Sequence, residues 1–289
     1  MNGGNTPFYP EHFYLSSSML INEKSLRHWM DHFFGYGSWE APIWFIAYEE
    51  GGGDLPEEVA EKLNYFYDAH QAADRPTLAD IRKLYRQVSF EAEGPRATLF
   101  KTLHGYRFDK SAILHGVWRN LISFIHGYQD EEMPDRLEYQ QTTFASPSAK
   151  REALIRLYPL PSPHDHAWYY SWLDLPGFHF LRRRSSYEQA VFPQRMHHIL
   201  RQLKIHQPDV VLMYGMSNIN GLKKAVQDGY PAAKFKMVKG TKLEIPQHHI
   251  TSLDTTTLVI TTKIPALKHN RKETGFDWWA FGKRVKRDK

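Results

Sequence analysis

The chain contains no cysteine. That removes disulfides, thiolate metal sites and cysteine nucleophiles together. No apolar run approaches the roughly 18 residues that span a bilayer. Residues 1–21 show neither the basic start nor the apolar stretch of a secretory leader. The expectation is a soluble, cytoplasmic protein with no membrane partner. Cofactor loops are also missing: no Gly-x-Gly-x-x-Gly follows a strand-like run, and no Walker-type glycine–lysine loop occurs. There is no His-Glu-x-x-His, and the pairs His164/His166, His197/His198 and His248/His249 lack a matching carboxylate at ligand spacing. No metal and no cofactor is therefore expected. The Gly-x-Ser-x-Gly nucleophile elbow is absent as well.

What is present is a chain of 289 residues with 37 basic and 32 acidic side chains. The formal charge of +5 hides an asymmetry: residues 1–150 carry 14 basic and 21 acidic groups, and residues 151–289 carry 23 and 11. A basic second half suggests a nucleic-acid partner. Hydrophobic residues at 42% and aromatics at 14% exclude a disordered chain. The length is ample for a real core. A single domain over 1–289 is expected, with a charged surface insertion at 129–150 and a basic tail at 283–289.

Strand-like and helix-like runs alternate. APIWFIAY at 41–48 is a short apolar run that leads into Glu49-Glu50-Gly51-Gly52-Gly53 and reads as a buried strand and a glycine turn. A helix is expected over 55–69. Thr77-Leu-Ala-Asp80 resembles a capping box opening a helix to about residue 90. Ile113, Val117, Leu121 and Phe124 have helical spacing. Residues 154–158 read as a second strand, 186–205 as a helix, 208–215 as a third strand and 218–227 as a helix. Residues 258–262 read as a fourth strand and 276–286 as a closing basic helix. Strands alternating with helices predict a parallel sheet covered on both faces. Ligands of such sheets lie at the carboxyl ends of the strands, where Glu49, Tyr158, Gly215 and Lys263 fall.

Residues 43–53 resemble the first motif of the uracil-DNA glycosylase-like superfamily, a hydrophobic strand ending in a Gly-x-Asp-Pro or Gly-Glu-x-Pro-Gly turn. Matched to the first form, Ala47 replaces the glycine, Glu49 takes the place of the catalytic Asp, and Glu50 replaces the proline. Further segments follow in the family's order. Leu157-Tyr158-Pro159-Leu160-Pro161 is similar to its second-strand segment, and PDVVLMYG at 208–215 to its central strand and glycine. Residues 257–267 stand at its last strand and loop, and FDWWAFG at 276–282 at its closing helix. The chain departs from the family where Thr262-Lys263-Ile264-Pro265 replaces the motif histidine. The usual second-motif Asn has only Arg156 or Tyr158 nearby, and Gly51 or Gly52 replaces the aromatic wall after the acid.

The resemblance implies a three-layer α/β/α fold with a central, mainly parallel sheet. It also implies a monomeric, monofunctional DNA glycosylase, one that leaves the abasic strand uncut and flips a nucleotide out of double-stranded DNA. Glu49 would offset the positive sugar and place water, and Lys263 would stabilise the departing base. Tyr48, or Tyr65, Phe66 or Tyr67 in the next segment, would stack on the base, and Tyr158 would contact its polar edge, with Gly51 and Gly52 leaving room for a bulky one. Leu267 would wedge into the base stack. Arg182, Arg183, Arg184, Lys268, Arg271 and Lys272 would bind phosphates. A branch of the superfamily removes modified cytosines, glucosylated hydroxymethylcytosine among them, from phage DNA, so antiphage base excision is the leading expectation. The alternatives are a uracil or deaminated-base repair glycosylase, a noncatalytic nucleic-acid binder of the same fold, and an unrelated hydrolase or transferase using Glu49 and Glu50 on a small substrate.

Overall fold

Four strands buried at every position form the centre of the structure. The computed structural model describes residues 21–53, 55–89, 100–163, 168–241, 244–265 and 276–289. In chain order the elements are α1 (Glu23–His32), β1 (Phe33–Gly37), β2 (Ile43–Ala47), α2 (Pro56–Ala69), β3 (Thr77–Ala79), α3 (Ile81–Arg86), α4 (Leu103–Phe108), α5 (Gly116–Gln129) and α6 (Arg136–Thr142). After these come β4 (Glu152–Arg156), α7 (Arg184–His206), β5 (Val210–Tyr214), α8 (Ile219–Gly229), β6 (Lys236–Val238), β7 (His248–Leu253), β8 (Thr256–Ile260) and α9 (Trp278–Arg287).

The strands make one sheet in the order β3-β1-β4-β2-β5-β8-β7-β6. Its inner four, β4, β2, β5 and β8, run parallel. β1 is antiparallel to β4, and β7 and β6 extend the other edge antiparallel. The inner strands carry apolar runs such as IWFIA and VVLMY, which suit a sheet covered on both faces. Trp44 packs near His206 of α7, while its neighbour Phe45 packs on Phe124 of α5. Adjacent strand residues point to opposite faces, so α7 and α5 lie on opposite sides, and the expected helix–sheet–helix layering is present.

Register brings the strand ends level: Ala47 lies opposite both Arg156 and Tyr214. The chain leaves β2 for β4 on one side and later reaches β5 on the other. The order of connection therefore reverses at β2, the place where such sheets open a ligand crevice.

Several boundaries differ from the sequence reading. Thr77–Ala79 is an edge strand rather than a capping box, and Asp80 caps α3 by accepting from the Arg82 and Lys83 amides. The helix expected from residue 111 starts at Gly116. α7 begins at Arg184 and runs through Pro193. The segment 129–150 is not a surface excursion throughout: Gln140, Phe144 and Ala145 are fully buried. Gln140 donates to the carbonyls of Arg107 and Ile113 and accepts from the His115 amide, so the segment is tied into the body. The basic residues from 283 are not a loose tail either, because they form the last turns of α9, where Val285 is buried. α9 crosses α5 at Gly127 and Gly282. A Cβ at Gly282 would lie 2.3 Å from the Phe124 carbonyl oxygen, and one at Gly127 2.0 Å from that of Trp279. Only hydrogen at those positions lets the helices meet this closely.

Candidate active site

β2 ends at Ala47, and the turn that follows is stitched to the chain beyond β4. The amides of Leu157, Tyr158 and Ser162 donate to the carbonyls of Ala47, Tyr48 and Glu50. Gly52 and Gly53 have φ of 112° and 76°, which a side chain would strain. The two adjacent acids are thereby sent in different directions.

Glu50 turns inward and is 4% exposed. It accepts hydrogen bonds from the Tyr36 hydroxyl at 2.8 Å, the Tyr85 hydroxyl at 3.0 Å and Lys62 Nζ at 3.2 Å. Lys62, on α2 and equally buried, also pairs with Glu58 at 2.9 Å. Burial opposes the charge on Glu50, but Lys62, Arg156 and the Tyr36 hydroxyl overcome it and hold the carboxyl below its usual range. Lys62 is likewise kept charged: burial works against it, and Glu50 and Glu58 outweigh burial. This is a satisfied ionic floor, not a free acid.

Glu49 faces the first turn of α7. One Arg184 nitrogen, Nη2, lies 2.5 Å from both carboxylate oxygens. Arg184 Nε reaches Glu188 at 3.0 Å and Nη1 the Ser162 hydroxyl at 3.3 Å. Tyr48 packs its ring on Tyr158, with centroids 4.6 Å apart, and hydrogen-bonds Glu188. Behind them, buried Arg195 donates to the carbonyls of Phe33, Arg156 and Leu157 and fixes the end of β4.

Tyr48, Glu49, Glu50 and Arg184 border a cavity of about 770 Å³ at the carboxyl ends of the inner strands. Glu50, Lys62 and Tyr85 lie on one side, with Tyr106, Arg107, His115 and Trp118 from α4 and the start of α5. Arg156, Tyr214, Gly215 and Ile264 complete it from β4, β5 and the segment after β8. His115 caps α5, its Nδ1 accepting from the Trp118 amide at 3.3 Å. Burial, and then Arg107 and Arg156, push its imidazole down to about 3, so it stays neutral at ordinary pH. The arrangement combines aromatic faces for a planar ring, cations for negative charge, and a carboxylate beside them.

The structure brings Glu49, Tyr48, Gly51, Gly52 and Arg184 to this cavity. Tyr158 sits one layer behind Tyr48, buried against Tyr187. Phe66 is not at the cavity. It is fully buried and packs on Trp29 and Phe33, so its expected stacking role is corrected to a core role. Lys263 follows β8, but its carbonyl, accepting from the Gly215 amide at 3.1 Å, is what reaches the site, and its neighbour Ile264 lines the cavity instead. Arg182 and Arg183 are exposed beside Arg184, with Arg182 3.7 Å from Asp174. Leu267, Lys268, Arg271 and Lys272 lie outside the described residues.

Sequence reasoning missed Lys62, Tyr85, Arg107, His115 and Trp118. Lys62 had a signal, because it stands in the apolar stripe of Val59, Leu63 and Phe66 on α2. Among the described residues no three His, Asp or Glu side chains gather as a metal site, and no helix is long and apolar enough to cross a membrane. The chain matches no protein-family model, no curated protein and no solved structure.

Proposed function

We propose that the protein is a DNA glycosylase that hydrolyses the N-glycosidic bond of a flipped-out base, with a bulky modified cytosine of invading phage DNA as its substrate. The observation that carries the reading is Glu49 at the border of an aromatic and cationic cavity where the strand order reverses. A carboxylate has about four lone-pair sites. Arg184 engages both oxygens of Glu49, and in this reading the carboxylate places an attacking water and offsets the positive charge that develops on the sugar. Tyr48, Tyr106 and Trp118 supply faces for the base.

Two features favour a bulky base. The cavity volume lies in the range that holds ligands larger than a bare pyrimidine. Among the described residues a side chain at Gly51 would meet nothing within 4 Å, which leaves the cavity open there. Exposed Arg182 and Arg183 stand next to Arg184 and suit DNA phosphates, whose contacts weaken steeply with salt.

The test is base release from duplexes carrying glucosylated hydroxymethylcytosine or uracil, with Glu49→Gln as control. Release of the glucosylated base, lowered about 10²-fold or more in the variant, is expected. Release of uracil alone replaces the bulky-base assignment with repair. No release from either duplex, with salt-dependent DNA binding intact, replaces catalysis with noncatalytic recognition.

A further inference from the structure

We infer that the inner end of the cavity is an anion-binding subsite, built by Arg107 and Arg156 beside the first turn of α5, and that it receives the negative charge of the departing base. The charges around the cavity carry this inference. Three carboxylates line it (Glu49, Glu50 and Glu58), against four cations (Lys62, Arg107, Arg156 and Arg184). Glu49 pairs with Arg184, and Glu50 and Glu58 both pair with Lys62. Arg156 is held charged by Tyr214, with which it hydrogen-bonds, and by Glu50, while its buried Nε has no hydrogen-bond partner among the described residues. Arg107 pairs with no carboxylate among the described residues. Its guanidinium lies 4.1 Å from the Tyr106 ring centroid and 5.9 Å from that of Trp118, and its hydrogen bond is to the Tyr106 hydroxyl.

Arg107 is the cation withdrawn from water without a carboxylate among the described residues, which is costly, and a ligand that brings negative charge offsets the cost. Both guanidiniums line the same cavity, and the charges of both act on the His115 imidazole. His115 caps a helix of 14 residues whose Val117 and Trp118 line the same cavity, so the positive end of that helix adds to the field.

Assigning the charge to a base rests on the glycosylase reading. As the C1′–N1 bond breaks, its electron pair leaves with N1 and spreads to the O2 oxygen and N3 of the cytosine ring. Water adds to C1′ and releases a proton, and the base anion is protonated from solvent. Cations fixed at the ring edge stabilise that anion as it forms. Arg107 thereby takes the task expected of Lys263.

Two measurements test this with Arg107→Gln, which removes the charge, and Arg107→Lys, which keeps it. The first is single-turnover base release from the duplex the wild-type protein cleaves. A loss of about 10²-fold is expected for the glutamine variant, with substantial recovery in the lysine variant. The second is binding of free bases followed by tryptophan fluorescence, comparing 5-nitrouracil, an anion at neutral pH, with neutral uracil. The wild-type protein should prefer the anion by about tenfold or more. Arg107→Gln should weaken binding of the anion far more than that of uracil and so erase the preference, and Arg107→Lys should retain it. No anion preference in the wild-type protein, or equal losses for both bases in the glutamine variant, overturns the subsite. If no duplex is cleaved but the Arg107-dependent anion preference is present, the subsite stands and the glycosylase reading falls. If bases are released equally well by Arg107→Gln, the reverse holds.

Discussion

Replacing Glu152 with glutamine should stabilise the protein above neutral pH. Glu152 opens β4 at the end of the sheet away from the cavity and is 1% exposed. One carboxylate oxygen accepts from the Ala145 amide at 2.7 Å and the other from the Tyr139 hydroxyl at 2.9 Å. Ala145 has a φ of 52°, a left-handed conformation that costs a residue with a side chain about 1 kcal/mol or more. Burial pushes the Glu152 carboxyl from 4.5 up to about 7, and the Ala145 amide, the Tyr139 hydroxyl, Arg151 and Arg82 oppose it only in part. Between these values the folded chain keeps a proton that the unfolded chain has lost. Stability from this group is therefore complete below 4.5 and declines as pH rises through about 7. The gap corresponds to about 3 kcal/mol. In Glu152→Gln the amide oxygen accepts from Ala145, and the amide nitrogen donates to a Tyr139 hydroxyl turned to accept. Both contacts survive without the titration. Urea unfolding from pH 4.5 to 8 should show the two proteins similar at the acid end and the variant ahead by about 1–3 kcal/mol at pH 8. The difference between proteins is the quantity to read. Buried His248 and half-buried His28, both lowered chiefly by desolvation, add an opposite slope to both proteins. A constant gap across the range, or a variant weaker at every pH, would refute the reasoning.

Gly282→Ala should destabilise by about 1–3 kcal/mol or more, because its Cβ would meet α5 backbone 2.3 Å and 2.7 Å away; a thermal melt at wild-type temperature would contradict the close crossing. Lys62→Met should cost about 3–5 kcal/mol by leaving buried Glu50 without its cation, and adding Glu50→Gln should recover part of the loss in urea unfolding. Lys263→Ala should leave base release near the wild-type rate, since the main-chain carbonyl makes the contact at the site. A drop as large as that of Glu49→Gln would return the lysine side chain to the reaction.

The four inner strands were legible because burial on both faces demands continuous apolar runs, and IWFIA and VVLMY have little alternative. The edges were not. β1 reads FFGYG, with positive φ at both glycines, and follows α1 without a connecting residue, so neither period is visible. β3 is three residues long and carries a cap-like pattern whose working acid, Asp80, belongs to the next helix. The hairpin of β7 and β8 turns at Asp254 with a φ of 53°, a short-turn signal the apolar reading passed over. At the site, Tyr48, Glu49, Gly51 and Gly52 could be placed because they directly follow a strand. Arg107 and His115 could not, because their approach depends on how α4 and α5 pack. Gln140, from a segment read as surface, holds the Arg107 carbonyl and the His115 amide.

The cavity draws Tyr48, Arg107, Arg156, Tyr214 and Ile264 from successive, widely separated stretches of the chain. Contacts of such long sequence separation form late and slowly during folding, so no fragment of this chain can carry the site by itself. Ligand binding is thus a reporter of the finished sheet. In a denaturant series it should vanish together with the global transition, and an N-terminal piece ending before β5 should bind nothing, however well its own helices form.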